Sequence, residues 1–258
     1  MIKVAIITIT YNSSNVIIPF LKCLSESSFK DFKLFIIDNN SVDETVEIIC
    51  KIKKIDVQVI ENKKNIGVAA ANNMGIKLAL DQGYKKVLLS NNDIVFDKNI
   101  IGDLVNFSKN QSSSISSLKI MYEHDKDKIW YCGGFFNFNK GLVPEHLGIG
   151  QPDFGQYNHL KYSDYAPTCF VLFDSKVFSE IGFMDEAYFV YFDDTDFFYR
   201  VKKNGNFKLL VNQKIKIFHK VGSLTSTSDA KGKKSNFFIS QNIQNHFYFL
   251  KKNERLYF

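Results

Sequence analysis

Lys86-Val87-Leu88-Leu89-Ser90-Asn91-Asn92-Asp93 is a short apolar run closed by three polar residues, the last of them an acid. An apolar run of this length bounded by turn residues fits a strand buried on both faces. In an open α/β sheet, ligands bind beyond the carboxyl ends of the strands. Asn91, Asn92 and Asp93 therefore fall where a ligand would lie. A lone acid after two amides suits a divalent cation bridging a phosphate. Strand-end Asn and Asp also serve as plain turn residues or helix caps.

The chain around this stretch alternates two periods. Strand-like runs occupy 4–9, 33–37, 57–60 and 87–90, and helix-like runs 16–24, 43–52, 67–80 and 99–107. Such alternation predicts βαβ units in an α/β fold with a mostly parallel sheet flanked by helices. Beyond it, 112–117 is Ser-rich and reads as a loop entering a strand. Residues 131–156 are dense in Gly, Phe and Asn with little periodicity, and read as strands and loops forming one wall of a site. A strand is predicted at 168–174, helices at 175–181 and 193–204, the latter stopped by Gly205, and strands at 208–211 and 214–218 ending in His219. A Ser, Thr, Gly and Lys-rich loop at 222–235 precedes an aromatic amphipathic helix over 236–258. No linker divides the chain, so 1–258 is expected to be one domain with parts 1–110, 111–235 and 236–258.

Composition narrows the class. The 258 residues, 45% hydrophobic and 23% charged, suffice for a full core without staples. A net charge of +6 permits anionic substrates or an anionic membrane surface without demanding nucleic acid. Cys23, Cys50, Cys132 and Cys169 lack CxxC spacing, which argues against zinc and against a disulfide framework, and favours a reducing cytosol. The N-terminus enters a strand at once without a signal-peptide pattern, and no apolar run reaches spanning length. A cytoplasmic location is expected.

Other strand ends carry the same kind of chemistry. Thr10, Tyr11 and Asn12 close the first strand with polar groups that can meet a nucleotide, or form a simple turn and N-cap. Asp38, before Asn39-Asn40-Ser41, can accept the ring N–H of a uracil or thymine, or act as capping chemistry. Asn65-Ile66-Gly67 opens a helix whose small residues (Ala69, Ala70, Ala71, Gly75) require close packing, against a nucleotide or against the sheet. No Walker loop and no GxGxxG is present. Asp185 lies in Gly182-Phe183-Met184-Asp185-Glu186, and an aromatic run then enters Asp193-Asp194-Thr195-Asp196. The helix dipole favours acids in a first turn. Three within four residues exceed what a cap needs, and one can take a proton from a sugar hydroxyl. His219 is either structural or a ligand for a manganese-like ion beside carboxylate oxygens.

In this order the motifs Thr10-Tyr11-Asn12, Asp38-Asn39-Asn40-Ser41, Asn65-Ile66-Gly67, Asn91-Asn92-Asp93, Ile181–Glu186 with Phe192–Asp196, and His219 resemble the inverting GT-A glycosyltransferases of family 2, in particular the bacterial rhamnosyltransferase-like branch. The resemblance spans nearly the whole chain. Phe247–Asn253 matches the family's aromatic C-terminal segment loosely, with Lys where Arg is usual. It implies a GT-A fold with an acceptor-side region and a C-terminal helix. It also implies transfer of a sugar from a UDP- or dTDP-linked donor to a glycan or lipid-linked oligosaccharide in bacterial surface polysaccharide synthesis. Asp38 would read the base, with Thr10, Tyr11, Asn12, Asn65, Gly67, Asn91 and Asn92 around the nucleotide. Asp93 and His219 would hold Mg²⁺ or Mn²⁺, Asp194 would be the general base, and Asp193, Asp196 and Asp185 would lie on the acceptor side. Relatives often carry acids where Asn91 and Asn92 stand, which leaves Asp93 the triplet's one carboxylate. Lys231, Lys233, Lys234, Lys251, Lys252 and Arg255, among Phe237, Phe238, Phe247 and Phe249, read either as peripheral contact with the inner face of the plasma membrane or as an aromatic helix packed on the core with a solvated basic face. Two other classes are weighed. A sugar-1-phosphate nucleotidyltransferase should show a Gly-rich basic loop, and residues 8–16 contain no Gly, Lys or Arg. A non-catalytic sugar-binding module would not need Asp93, Asp194 and His219 together.

Overall fold

The computed structural model describes residues 2–222 and 234–254. In chain order the elements are β1 (Val4–Thr10), α1 (Ser14–Glu26), β2 (Phe32–Asp38), α2 (Thr45–Cys50), β3 (Val57–Glu61), α3 (Val68–Asp81), β4 (Lys86–Ser90), β5 (Ile94–Val95) and α4 (Ile100–Asn110). There follow β6 (Ile115–Tyr122), β7 (Ile129–Tyr131), β8 (Gly134–Asn137), β9 (Val143–His146), β10 (Tyr162–Ser163), β11 (Phe170–Asp174), α5 (Ser175–Ile181), α6 (Asp193–Asn204), β12 (Leu209–His219) and α7 (Asn236–Asn253).

One sheet runs β10-β12-β6-β11-β4-β1-β2-β3. Its long ladders are parallel: β1 with β2 and β4, β2 with β3, and β12 with β6. β11 is inserted antiparallel between β4 and β6. Val4, Ala5, Ile6 and Ile7 of β1 and Leu34 to Ile37 of β2 are fully buried, as strands covered by helices on both faces must be. The register aligns Thr10 with Asp38 and Asp38 with Glu61, so the polar strand ends share one edge.

The helices dock through the faces their apolar spacing dictates. α1 buries Val16, Ile17, Phe20, Leu21 and Leu24. The small residues of α3 have two explanations in one helix. A Cβ on Gly75 would stand 2.5 Å from the Ile7 side chain, so α3 rests directly on β1. At the other end, a Cβ on Gly67 would stand 2.6 Å from the carbonyl oxygen of Phe189.

Three local expectations are revised. The break predicted between 211 and 214 is a bulge within β12: Asn212 pairs with Leu118 and Lys216 with Lys119, and the extra residues loop out. The Asn212 side chain accepts from the N–H of Lys214, and Gln213 donates to the Cys132 carbonyl. α2 starts at Thr45, because Asp43 stays outside the helix and accepts from the N–H groups of both Thr45 and Ser14. In α7, Phe249 is fully buried and Lys252 is tied to Asp185 and Asp196, so neither belongs to the basic outer face. Lys231, Lys233 and Arg255 lie outside the described residues. Among the described residues no helix is long and apolar enough to cross a membrane.

Candidate active site

A cleft of about 670 Å³ opens at the carboxyl edge of the sheet. Its floor is the end of β4. Asn91 donates its N–H to the Cys169 carbonyl, and the buried Asn92 side chain donates to the Ile9 carbonyl at 2.8 Å. Asn92 thus ties the ends of β4 and β1 together, while its own Oδ1 is buried without a hydrogen-bond partner.

The next residue meets a strand far away in sequence. β5 pairs antiparallel with the end of β12, placing Ile94 opposite His219. Lys220 donates its N–H to the Asp93 carbonyl at 2.9 Å. These backbone contacts hold His219 Nε2 3.2 Å from Asp93 Oδ1, with both side chains buried. Adjacent donors on one octahedral ion, each about 2.1 Å from it, lie about 3 Å apart. The pair therefore fits two neighbouring positions on a Mg²⁺- or Mn²⁺-like ion. His219 Nδ1 is buried without a hydrogen-bond partner, and Trp130 packs on the imidazole at 4.6 Å. Among the described residues no cluster of three or more His, Cys, Asp or Glu can hold a metal. An ion here would complete its shell from a ligand rich in oxygen.

On one side the cleft is bounded by the starts of α1 and α3. Tyr11, Asn39, Asn65 and Gly67 line it. Asn65 accepts from the N–H of Gly67, and Asn39 donates to the Gly67 carbonyl, fixing the tight turn. Thr10, Asn12 and Asp38 do not line the cleft: Thr10 and Asp38 are buried and Asn12 is exposed. The buried Asp38 carboxylate accepts from the Thr10 hydroxyl at 2.6 Å, the Ser41 hydroxyl at 2.6 Å and the Ser41 N–H at 2.8 Å. Asn12, at φ 50°, donates its N–H to the same Ser41 hydroxyl. Asp43, although partly desolvated, is drawn down to about 2 by its bonds from Thr45 and Ser14.

The opposite side is the start of α6. Tyr191 (φ 65°) and Phe192 (φ 66°) are consecutive bulky residues in the left-handed region, a costly conformation that other contacts must hold. Asn245 of α7 donates to the carbonyls of Val190 and Tyr191, and Phe192 packs between His246 and Phe249. The turn aims Asp193 and Asp194 into the cleft. Burial, then the neighbouring Asp194 charge, pushes Asp193 above the usual carboxylate range, and its Oδ2 lacks a hydrogen-bond partner. Burial also raises Asp194, against the opposing bonds it accepts from Tyr165 Oη at 2.8 Å and the Thr195 N–H at 2.7 Å. Two carboxylates so placed resist ionising together.

Asp196 and Asp185 lie away from the cleft. Asp196 is fully buried, bonded to Arg200 Nε at 2.8 Å, Lys252 Nζ at 2.9 Å and Asn253 at 3.0 Å. Asp185 accepts from Lys252 at 2.8 Å and Tyr248 at 2.9 Å. Both act here as ties between α6, the 182–192 loop and α7. Several cleft residues carried no sequence signal as site residues. Trp130, His146 and Tyr165 lie in segments without periodicity, whereas Phe189 belongs to the aromatic run that enters Asp193.

The low-salt glycan biosynthesis hexosyltransferase Agl10 of Haloferax volcanii is 26% identical over 175 residues, covering 66% of this chain and 53% of that protein. The dTDP-rhamnosyl transferase RfbF of Shigella flexneri is 26% identical over 224 residues, covering 84% of this chain and 68% of that protein. This chain thus spans about half to two thirds of the length of these curated relatives. The mannosyltransferase PcManGT of Pyrobaculum calidifontis, solved with GDP-Man and Mn²⁺, superposes with a TM-score of 0.68 at 13% identity, over 98% of this chain and 64% of that one. The likeness establishes a shared GT-A fold. The sequence profile described as "Glycosyl transferase family 2" matches residues 5–181, more than half of the chain, which therefore belongs to that family.

Proposed function

We propose that the chain transfers a sugar, with inversion, from a UDP- or dTDP-linked donor to a hydroxyl of a glycan or lipid-linked oligosaccharide. The observation that carries this reading is convergence. The Asp93–His219 pair and the Asp193–Asp194 pair line one cleft together with Tyr11, Asn39, Asn65 and Gly67. The name of one relative, a dTDP-rhamnosyl transferase, supports the donor class, and a structural neighbour solved with GDP-Man and Mn²⁺ supports a nucleoside diphosphate sugar with a divalent ion.

In this reading the rim at Tyr11, Asn65 and Gly67 receives the nucleoside, and Asp38, which does not line the cleft, braces the strand ends beneath that rim through Thr10 and Ser41 rather than touching the base. Asp93 and His219 are the residues that would hold Mg²⁺ or Mn²⁺. An ion held there would supply positive charge to offset that growing on the departing diphosphate. The acceptor hydroxyl enters beneath the aromatic turn at 189–192 and attacks the anomeric carbon on the face opposite the diphosphate. Asp194, open to the cleft, takes the hydroxyl proton as the new C–O bond forms. Holding both substrates in line lowers the barrier further by pre-ordering them. Asp185 and Asp196 keep the acceptor side in shape through their ties to Lys252 and Arg200.

The outer face of α7 fits a lipid-linked acceptor. Phe237, Ile243 and Phe247 are exposed beside Lys234 and Lys251, and Phe237 and Lys234 also border the cleft. This face would rest on an anionic leaflet with the cleft mouth at the lipid surface.

The test is a screen of UDP-, dTDP- and GDP-sugars with Mn²⁺ and a glycan or lipid-linked acceptor pool, read as nucleotide release and product mass. Acceptor-dependent release from a UDP- or dTDP-sugar supports the reading. Cleavage of none of these donors under any metal condition refutes it.

A further inference from the structure

Tyr165 is held more completely than any packing role requires. It follows β10 and is 5% exposed. Its ring stacks on His146 at 5.7 Å and meets Phe136 and Phe198 edge-on at 6.3 and 5.9 Å. Its carbonyl accepts from the hydroxyls of Tyr131 at 2.8 Å and Ser163 at 2.6 Å. A Cβ at Gly134 would stand 3.1 Å from the ring, so the neighbouring strand closes on it as well. The one polar atom of the side chain is delivered to one partner, Asp194 Oδ2, at 2.8 Å.

We propose that Tyr165 is a positioning residue for the general base: its hydroxyl fixes the Asp194 carboxylate toward the acceptor and holds it in the ionised form. This rests on the reading of Asp194 as the base. A phenol in this place only donates, because burial, then the Asp194 charge, drives its own ionisation far up in pH. Oδ1 of Asp194 accepts from the Thr195 N–H at 2.7 Å and from the Thr195 hydroxyl at 3.3 Å. Oδ2 accepts from Tyr165 with one of its two lone-pair sites, and the other can take the acceptor proton. His146, at Tyr165's ring face, adds no charge. Burial depresses it to about 4, and its Nδ1 lies 3.0 Å from the Trp130 carbonyl, which can only accept. Among the described residues the other titratable groups around the pair are Asp193, with Asp196 beyond it on α6, and Cys169 before β11. Asp196 is neutralised by Arg200 and Lys252. The Tyr165 hydroxyl, at 2.8 Å against 3.3 Å for the Thr195 hydroxyl, is thus the closer of the two side-chain donors set against burial of Asp194.

The experiment is the pH profile of kcat for Tyr165→Phe, which keeps the ring and its packing. A hydrogen bond to a charged group is worth about 1.5–3 kcal/mol, so losing it should move the acid limb upward by about one to two pH units. The donor KM should not change. In an Asp194→Asn background, Tyr165→Phe should have no further effect on the remaining rate. An unmoved acid limb, a raised donor KM, or full additivity in the double variant overturns the inference. If instead Asp194→Asn itself keeps normal transfer, the base assignment fails, and the Tyr165 role falls with it.

Discussion

Asp38 and Asp193 are both buried carboxylates near one edge of the sheet, yet their surroundings are opposite. Asp38 accepts three hydrogen bonds from Thr10 and Ser41. Asp193 has an oxygen with no hydrogen-bond partner, a second carboxylate beside it, and two strained aromatic residues before it. The donor rim is a satisfied network, which orders without cost at binding. The acid rim is desolvated and strained, and is kept in place by Asn245, Phe249 and the Asp196–Arg200–Lys252 cluster. Strain and like charge concentrated at one end of a cleft are what proton-transfer chemistry needs and what binding does not.

The largest expected effect falls on the strained side. Asp194→Asn keeps size and removes the proton acceptor, so transfer should fall by roughly 10²–10⁴. Donor affinity measured by calorimetry should stay within error. Near-normal transfer by this variant, with loss in Asp193→Asn, would reverse the assignment within the pair.

Between the two rims lies the Asp93–His219 pair. Asp93→Ala and His219→Ala should each weaken Mn²⁺ binding, followed by electron paramagnetic resonance with UDP or dTDP present. The loss should exceed the roughly 10–100-fold that removal of an outer-shell partner costs. If His219→Ala binds Mn²⁺ normally, the histidine is only a packing partner of Trp130.

Gly67 joins the rims, because its turn carries the 189–190 loop: Val68 donates its N–H to the Phe189 carbonyl at 2.6 Å. Gly67→Ala adds a Cβ into that carbonyl at a φ of 85° and should destabilise the fold by about 1–3 kcal/mol. Chemical denaturation measures it, and an unchanged midpoint would mean the loop yields freely.

The smallest effect has an unusual sign. The folded-state pKa of Asp193 is raised, so the native state holds a proton that the unfolded state releases. Stability from this site is complete below the unfolded value of about 3.9 and is lost as pH rises toward the higher folded value. Asp193→Asn should therefore stabilise the protein at pH 8, by about 1–2 kcal/mol, and change little at pH 4. Thermal unfolding at the two pH values checks the sign.

The two rims also differ in how far the sequence reveals them. β1 to β4 and their helices are local units with clean periodicity, and they occur where the alternation predicts. The helices at 175–181 and 193–204 match their expected bounds. The contact of Asp93 with His219 depends on β5, a strand of two residues pairing across more than a hundred positions, and no local pattern encodes that. Trp130, His146 and Tyr165 enter the cleft from β7, the β8–β9 hairpin and the stretch after β10. These strands are too short for alternation to register, so of the three only His146 falls within the wall expected over 131–156, and Trp130 and Tyr165 lie beyond its bounds. The strained turn at Tyr191-Phe192 is invisible for the same reason: aromatic residues do not announce a left-handed backbone.

The most direct test of the central claim is a calorimetric titration of UDP and dTDP into the protein, with and without Mn²⁺. Saturable one-site binding is expected in Mn²⁺, weakening sharply on chelation and in Asp93→Ala and surviving in Asp194→Asn. Absence of binding by either nucleotide in Mn²⁺, or binding indifferent to both the metal and Asp93, would contradict that claim.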